Sequence, residues 1–270
     1  MITSGRTTSD IKVSKSIGNV AYTNLFVISG VINALTTNWQ LVSPLPLIAD
    51  LPHQQLTTPS TVFVASTSND DTGTGIGARL VIVNGLDINF NPLEEFVILN
   101  GQTPVETTNI FSNISEVTIF QFGTNIDIVT GDSIAVGDIY VGTGTFASGI
   151  PANPITGIAL SQNNPNSRDG IFTVPDGKIL LLKSLFCGTE PDKKENISLI
   201  VQIGIKFFGL GENQWFKSEP YTFDGSFQYL PEFNLPIPPR TQIQIRARTT
   251  TDKSKNSTIS LGVELQDLRG

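Results

Sequence analysis

The stretch from Val62 to Thr108, VFVASTSNDDTGTGIGARLVIVNGLDINFNPLEEFVILNGQTPVETT, admits strands and turns and leaves no room for a helix. Val81 and Val83 alternate with Ile82 and Asn84, and Val97 and Leu99 sit beside Ile98. The joints fall at Asp70-Asp71, Gly73, Gly75, Gly77, Asn89, Asn91-Pro92 and Asn100-Gly101. Two segments of similar length, from Ala78 to Leu86 and from Glu94 to Gly101, predict a hairpin that turns through Asp87-Ile88-Asn89-Phe90-Asn91-Pro92. The Asn84-Gly85 pair is locally the stronger two-residue turn signal, but a turn there would leave strands of unequal length. Further strands are expected at Glu116 to Phe122 and at Ser133 to Val141.

The rest of the chain carries the same period. In the run from Ile197 to Phe207 the odd positions form one apolar face. Ile243, Ile245 and Ala247 alternate with Gln242, Gln244, Arg246 and Arg248, and Ile259, Leu261, Val263 and Leu265 repeat the pattern. One face of each of these strands is expected to be buried and the other wet. The fold class that follows is all-β, with two antiparallel β-sandwich (jelly-roll-like) domains, since 270 residues exceed the roughly 100–150 of a single ordinary domain. The Pro/Gly-rich segment FASGIPANPITG places the boundary between Ala147 and Gly157. The division predicted is an N-terminal arm over 1–35, a first sandwich over 36–150 and a second over 151–270. The arm is expected to contact a neighbouring subunit instead of completing its own domain.

The reactive inventory is small. The chain has one histidine, His53, and one cysteine, Cys187, so the usual Cys/His zinc set and an intrachain disulfide are both out of reach. A histidine-dependent triad could use only His53. Charged residues are 15% of the chain and the formal net charge is −7, which argues against coating nucleic acid. The N-terminus MITSGRTTSD is polar, and the apolar run Leu25 to Leu35 is too short to span a membrane. A soluble chain without a membrane role is expected.

Four motifs invite chemistry. Gly73-Thr74-Gly75-Ile76-Gly77-Ala78 fits a G-x-G-x-x-A phosphate loop in spacing, but it opens a strand where such a loop opens a helix, so a turn role is expected. Asp87, Asn89 and Asn91 offer oxygen at alternate positions. Pro92 and Ile98 stand where an EF-hand needs Gly and Glu, which leaves side-chain capping of the hairpin loop as the plainer reading and a looser calcium site as the sharper one. Glu94, Glu95, Asp224 and Glu232 are the acids to inspect for glycoside cleavage, yet Glu94 and Glu95 are adjacent on a strand and point to opposite faces. Trp215, Phe216, Tyr221, Phe223, Phe227 and Tyr229 could stack on sugars or fill a core. No catalytic, cofactor-binding or metal-binding residue is assigned. The residues expected to bind a partner are Leu25, Phe26, Val27, Ile28, Trp215 and Tyr221.

The sequence TSNDDTGTGIGARLVIVNGLDINFNPLEEFVILNGQTPVETT resembles a motif of virion structural proteins of tailed phages and aquatic viruses. In that motif an acidic, Gly-rich turn leads to a strand ending in Gly-Leu-Asp, then to an Asn-rich loop and a Glu-led strand ending in Asn-Gly. Asp71, Gly75, Gly77, Ala78, Arg79, Gly85, Leu86, Asp87, Asn91, Glu95, Leu99, Asn100 and Gly101 match it. FTVPDGKILLLKS and the later QWFKSEPYTF and QIQIRARTT are similar to the half that accompanies it. The resemblance covers most of Trp39 to Gly270. It implies a non-enzymatic virion component without a cofactor, of the minor capsid or head-decoration type, assembled in the host cytoplasm. It further implies contact with the major capsid or other virion proteins and a homo-oligomer, a trimer being favoured. The alternative is a receptor- or carbohydrate-binding module of a tail or fibre.

Overall fold

The computed structural model describes residues 23–33, 36–42, 55–158, 167, 170–191, 198–208, 216–217, 221–224, 227–230, 235–250 and 254–268. The strands begin with β1 (Thr23–Asn33), β2 (Gln40–Leu41), β3 (Phe63–Ser66), β4 (Ala78–Leu86), β5 (Pro92–Ile98) and β6 (Val105–Glu106). They continue with β7 (Asn113–Phe122), β8 (Ile139–Ala147), β9 (Ile150–Ile158), β10 (Ile171–Thr173), β11 (Lys178–Pro191) and β12 (Ser198–Phe207). The last are β13 (Phe216–Lys217), β14 (Tyr221–Asp224), β15 (Phe227–Leu230), β16 (Leu235–Ile237), β17 (Thr241–Thr249) and β18 (Ser254–Asp267). No helix occurs among the described residues, and the chain is all-β, as its period-two patterning requires.

Two sandwiches result. In the first, a sheet ordered β6-β3-β8-β9 faces a sheet ordered β5-β4-β7. The inward residues Val64, Val81, Val83, Val97, Val117 and Ile139 close one core between them. In the second, β1-β18-β11-β15, with β16 beside β11, faces β10-β17-β12-β13, with β2 and β14 attached. Leu182, Leu199, Ile203, Ile245, Leu261 and Val263 fill a separate core. The β4–β5 hairpin pairs Leu86 with Pro92, so it turns through Asp87–Asn91 as the equal strand lengths predict. Asn84-Gly85 marks a bulge in the β4–β7 ladder instead of a turn.

Three expectations are corrected. The first concerns the boundary. FASGIPANPITG is not a linker; it folds as the β8–β9 hairpin, and Ile155 and Ile158 lie in the first core. Ser148 and Gly149 both take positive φ (49° and 83°), the conformation that closes a two-residue hairpin with the right twist. Pro151 and Pro154 are tolerated because β9 is the last strand of its sheet among the described residues. The passage to the second sandwich therefore falls after Ile158.

The second correction concerns the arm. β1 pairs antiparallel with β18 over its whole length, from Thr23↔Gln266 to Asn33↔Asn256, and Ile28 is buried in the second core. Gln40 and Leu41 pair with Ala247 and Arg246 of β17. Residues 23–42 thus complete the second sandwich, and the first is an insertion between its strands. Alternation alone cannot show which distant edge a strand joins. The third concerns β17, whose second face is not uniformly wet. Gln242 and Gln244 are buried, with Gln242 Nε2 donating to Thr173 Oγ1 (3.2 Å) and Gln244 Oε1 accepting from Arg246 Nε (2.9 Å).

Candidate functional site

The Asn-rich loop between β4 and β5 is the joint between the sandwiches. Asp87 organises it: Oδ1 accepts from the Asn89 and Asn91 amides (2.7 and 2.9 Å), and Oδ2 from Asn91 Nδ2 (3.2 Å). Burial works to raise this carboxyl, but the bonds from Asn91 and Asn89 prevail and hold it below the usual 3.8. The capped loop presents Phe90 in the left-handed region (φ 65°). Its carbonyl accepts the Asp176 amide (2.9 Å), and its ring lies 5.2 Å from Phe208 and 5.7 Å from the Arg240 guanidinium. Arg240 Nε in turn holds Asp176 Oδ1 at 2.8 Å, and this hydrogen bond lowers the Asp176 carboxyl. A second tie lies in the connection, where the Ser167 amide donates to the Val117 carbonyl and the Val117 amide to Ser167 Oγ, both at 2.8 Å. Both Asp87 oxygens, the charged part of the set that suggested calcium, accept the loop's own donors. Among the described residues no group of three or more His, Cys, Asp or Glu gathers to hold a metal.

The Gly-rich turn is built around Asp71, which is fully buried. Its Oδ1 accepts the Ala78 and Val136 amides (2.7 and 2.9 Å), and its Oδ2 accepts Ser66 Oγ and the Gly137 amide (2.5 and 2.9 Å). A Cβ on Gly77 would stand 2.0 Å from Asp71 Oδ1, so the close approach of this strand entry requires glycine there. The segment is a structural knot tying β3, the start of β4 and the approach to β8, and its amides are spent within the chain: those of Gly73, Gly75 and Gly77 on the Leu99, Thr72 and Asp70 carbonyls and that of Ala78 on Asp71.

The acids part as the strand alternation predicts. Glu95 caps the Thr108 and Asn109 amides (2.6 and 2.9 Å) and the Asn109 side chain (3.0 Å). Glu94 is exposed on the other face and lines a cleft of about 560 Å³ between the sandwiches, with Asn84, Leu93, Glu116, Phe172 and Leu265. Asp224 ends β14 opposite Ser198, in the second sandwich and away from that cleft's lining. His53, Trp215 and Glu232 lie outside the described residues.

The expected partner residues are divided between sheets. Leu25, Phe26, Val27 and Ile28 lie on β1, at the edge of one sheet, and Ile28 faces inward at 4% exposure. Tyr221 opens β14 of the opposite sheet, in register with Val201. Leu25 to Ile28 and Tyr221 therefore belong to different sheets. One feature escaped the sequence reading. Phe96 and Ile98 stay 51% and 64% exposed on the outer face of β5, and Phe96 meets Phe120 of β7 edge to face (centroids 5.3 Å, 88°). The signal was present in Phe96-Val97-Ile98, apolar on both faces of a strand that has only one core to serve.

No family model matches the chain, and no curated protein matches it. Among solved structures it is similar to the crystal structure of the infectious bursal disease virus VP2 subviral particle, with a TM-score of 0.24 and 11% identity over 91% of this chain and 72% of that one. A likeness at that score fixes neither the fold nor the role of this chain.

Proposed function

We propose that this chain is a non-enzymatic structural component of a virus particle, a minor capsid or head-decoration protein that reinforces the shell by pairing with neighbouring virion proteins. The observation that carries the reading is β1. It is an eleven-residue strand, TNLFVISGVIN, without a charge or a proline, at the end of its sheet and with no partner on its outer side among the described residues. Free edges of soluble proteins are ordinarily blunted by Lys, Pro or bulges, so a long bare one is suited to strand addition by another chain. The rest of the molecule supports the role. Two sandwiches, without a helix among the described residues, are joined through Phe90, and residues matching the virion motif serve rigidity: Asp71 in the knot, Asp87 in the loop cap, Glu95 in the cap of Thr108 and Asn109.

Quantitative mass spectrometry of purified particles tests the proposal. The expected result is this chain at a fixed stoichiometry to the major shell protein. Absence from particles would overturn it, and a few copies confined to isolated tails would favour the receptor-binding alternative.

A further inference from the structure

Ten large apolar side chains are conspicuously exposed among the described residues, and seven of them gather at one end of the first sandwich. Register places them. Leu80 lies opposite Ile98 and Ile82 opposite Phe96, on the face away from Val81 and Val97, and Phe120 closes on Phe96 from β7. Past Phe122 the chain stays at this end, because the Gly123 amide donates to the Gly77 carbonyl (2.6 Å) and the Asn125 amide to that of Ile76 (2.8 Å). Ile76 and Ile126 are 50% and 54% exposed there.

Next comes a tip that is held rigidly. Ile126 bridges Ser133, the Asp127 amide donates to the Asp132 carbonyl (2.9 Å), and the Gly131 amide to that of Asp127 (2.8 Å). Asp127 Oδ1 accepts the Val129 amide at 2.7 Å. The side chains this tip carries are Ile128 and Val129, at 96% and 88% exposure. A capped turn that fixes two aliphatic side chains in water gains nothing from them within the monomer.

We infer that this flank is the contact face between copies of this chain. At roughly 150–200 Å² for each fully exposed residue of this size, the seven positions present on the order of 700 Å². That exceeds the roughly 300–600 Å² of the largest patch on a typical monomer and approaches the ~800 Å² that each partner brings to a stable interface. Charge selects the partner. The apolar positions sit where β4 begins, whereas the far end of the same face carries Asn84, Glu94 and Glu116 in one row. Copies that gather their apolar ends about an axis bury the patch and keep the Glu94 and Glu116 carboxylates of neighbouring copies apart. A lipid surface fits less well, because residues 80–167 contain no Lys or Arg to meet headgroup phosphates. This surface lies on the sandwich that does not contain β1, so the inference stands independently of the particle role.

Sedimentation velocity of the full chain from about 1 to 100 µM tests it, a range that brackets ordinary self-association. The wild type is expected to form a discrete oligomer. Phe120→Glu with Ile128→Asp, both at exposed positions, should weaken association by at least ~100-fold, as loss of central apolar anchors does, with an unchanged circular dichroism spectrum. Ile110→Asp, at the opposite end of the sandwich, should leave the oligomer intact. A wild type that stays monomeric throughout overturns the inference, and so does an oligomer that survives the double substitution. Flotation of monomeric wild type with phosphatidylcholine vesicles, lost in the double variant, would assign the flank to lipid and overturn it equally.

Discussion

Replacing Asp71 with asparagine should cost the first sandwich a large part of its stability, and the size of the loss follows from the geometry. Both carboxylate oxygens accept two bonds, in a site with no solvent exposure. An amide keeps one accepting oxygen. Its best placement leaves that oxygen on the Ala78 and Val136 amides and turns the NH2 toward Ser66 Oγ, whose hydroxyl can rotate to accept. The Gly137 amide then faces a donor and is buried unpaired. Orphaning a buried donor costs about 1–3 kcal/mol, and each bond that changes from a charged to a neutral acceptor loses about 1 kcal/mol. The sum is about 3–5 kcal/mol, against a domain stability of about 5–15 kcal/mol. With a urea slope of roughly 1.5 kcal/mol/M the midpoint should fall by about 2–3 M. Hydrogen exchange read peptide by peptide across a urea series separates the two sandwiches. Segments of β3, β4 and β8 should lose protection at the lower midpoint while β11, β12 and β18 keep theirs. Gly77→Ala attacks the same contact from the other side, so combining it with Asp71→Asn should add little. A midpoint shift in Asp71→Asn below about 0.5 M, or one shared equally by both sandwiches, would refute the reasoning.

Three further outcomes are expected. Asp87 and Asp176 both have carboxyls held below 3.8 in the folded chain, so each contributes stability that is present above the unfolded value and lost as pH falls through the folded one; the joint should loosen below about pH 4, and Asp176→Asn should flatten that part of the stability profile. The Cys187 thiol, 2% exposed and pushed by burial to about 12, should resist a disulfide reagent at neutral pH and react only at the rate at which the second sandwich opens; rapid labelling of native protein would contradict its placement. Deleting residues 1–35 removes β1 from β18 and takes Ile28 from the core, so the second sandwich should lose at least the roughly 1.5–3 kcal/mol of that side chain; an unchanged thermal transition would show that the arm is dispensable to its own domain.

The contrast between β4 and the β8–β9 hairpin shows what the sequence could disclose. For β4 the signals agreed: alternation put Val81 and Val83 inside, and equal strand lengths selected the Asp87–Asn91 turn over Asn84-Gly85. That choice used a relation between neighbouring strands, which the sequence contains. For FASGIPANPITG the composition pointed to a linker, because proline and glycine are read as breakers unless one knows that the strand is an edge and the turn needs two left-handed residues. Edge position depends on sheet order, and sheet order is set by partners far away in the chain. The same limit hid the knot, since Asp71 meets its acceptors' donors at Ser66, Ala78, Val136 and Gly137, of which only the first two are close enough in sequence to suggest a turn.

The arm was misread for the same reason, and its correction sharpens the functional argument. An apolar run outside any recognised unit must find a sheet edge, but periodicity does not say whose. Here it finds β18 of its own chain, which satisfies one side of its backbone and turns the other side outward. A segment that was expected to leave its domain for a neighbour instead becomes the edge that a neighbour could join. Pairing in place keeps Ile28 buried before any partner arrives, so the chain can fold first and assemble afterwards. In the proposed particle role, assembly would then add strand pairing to a sheet that is already formed, without having to order a free arm, which spares the entropy an unfolded arm would lose on binding.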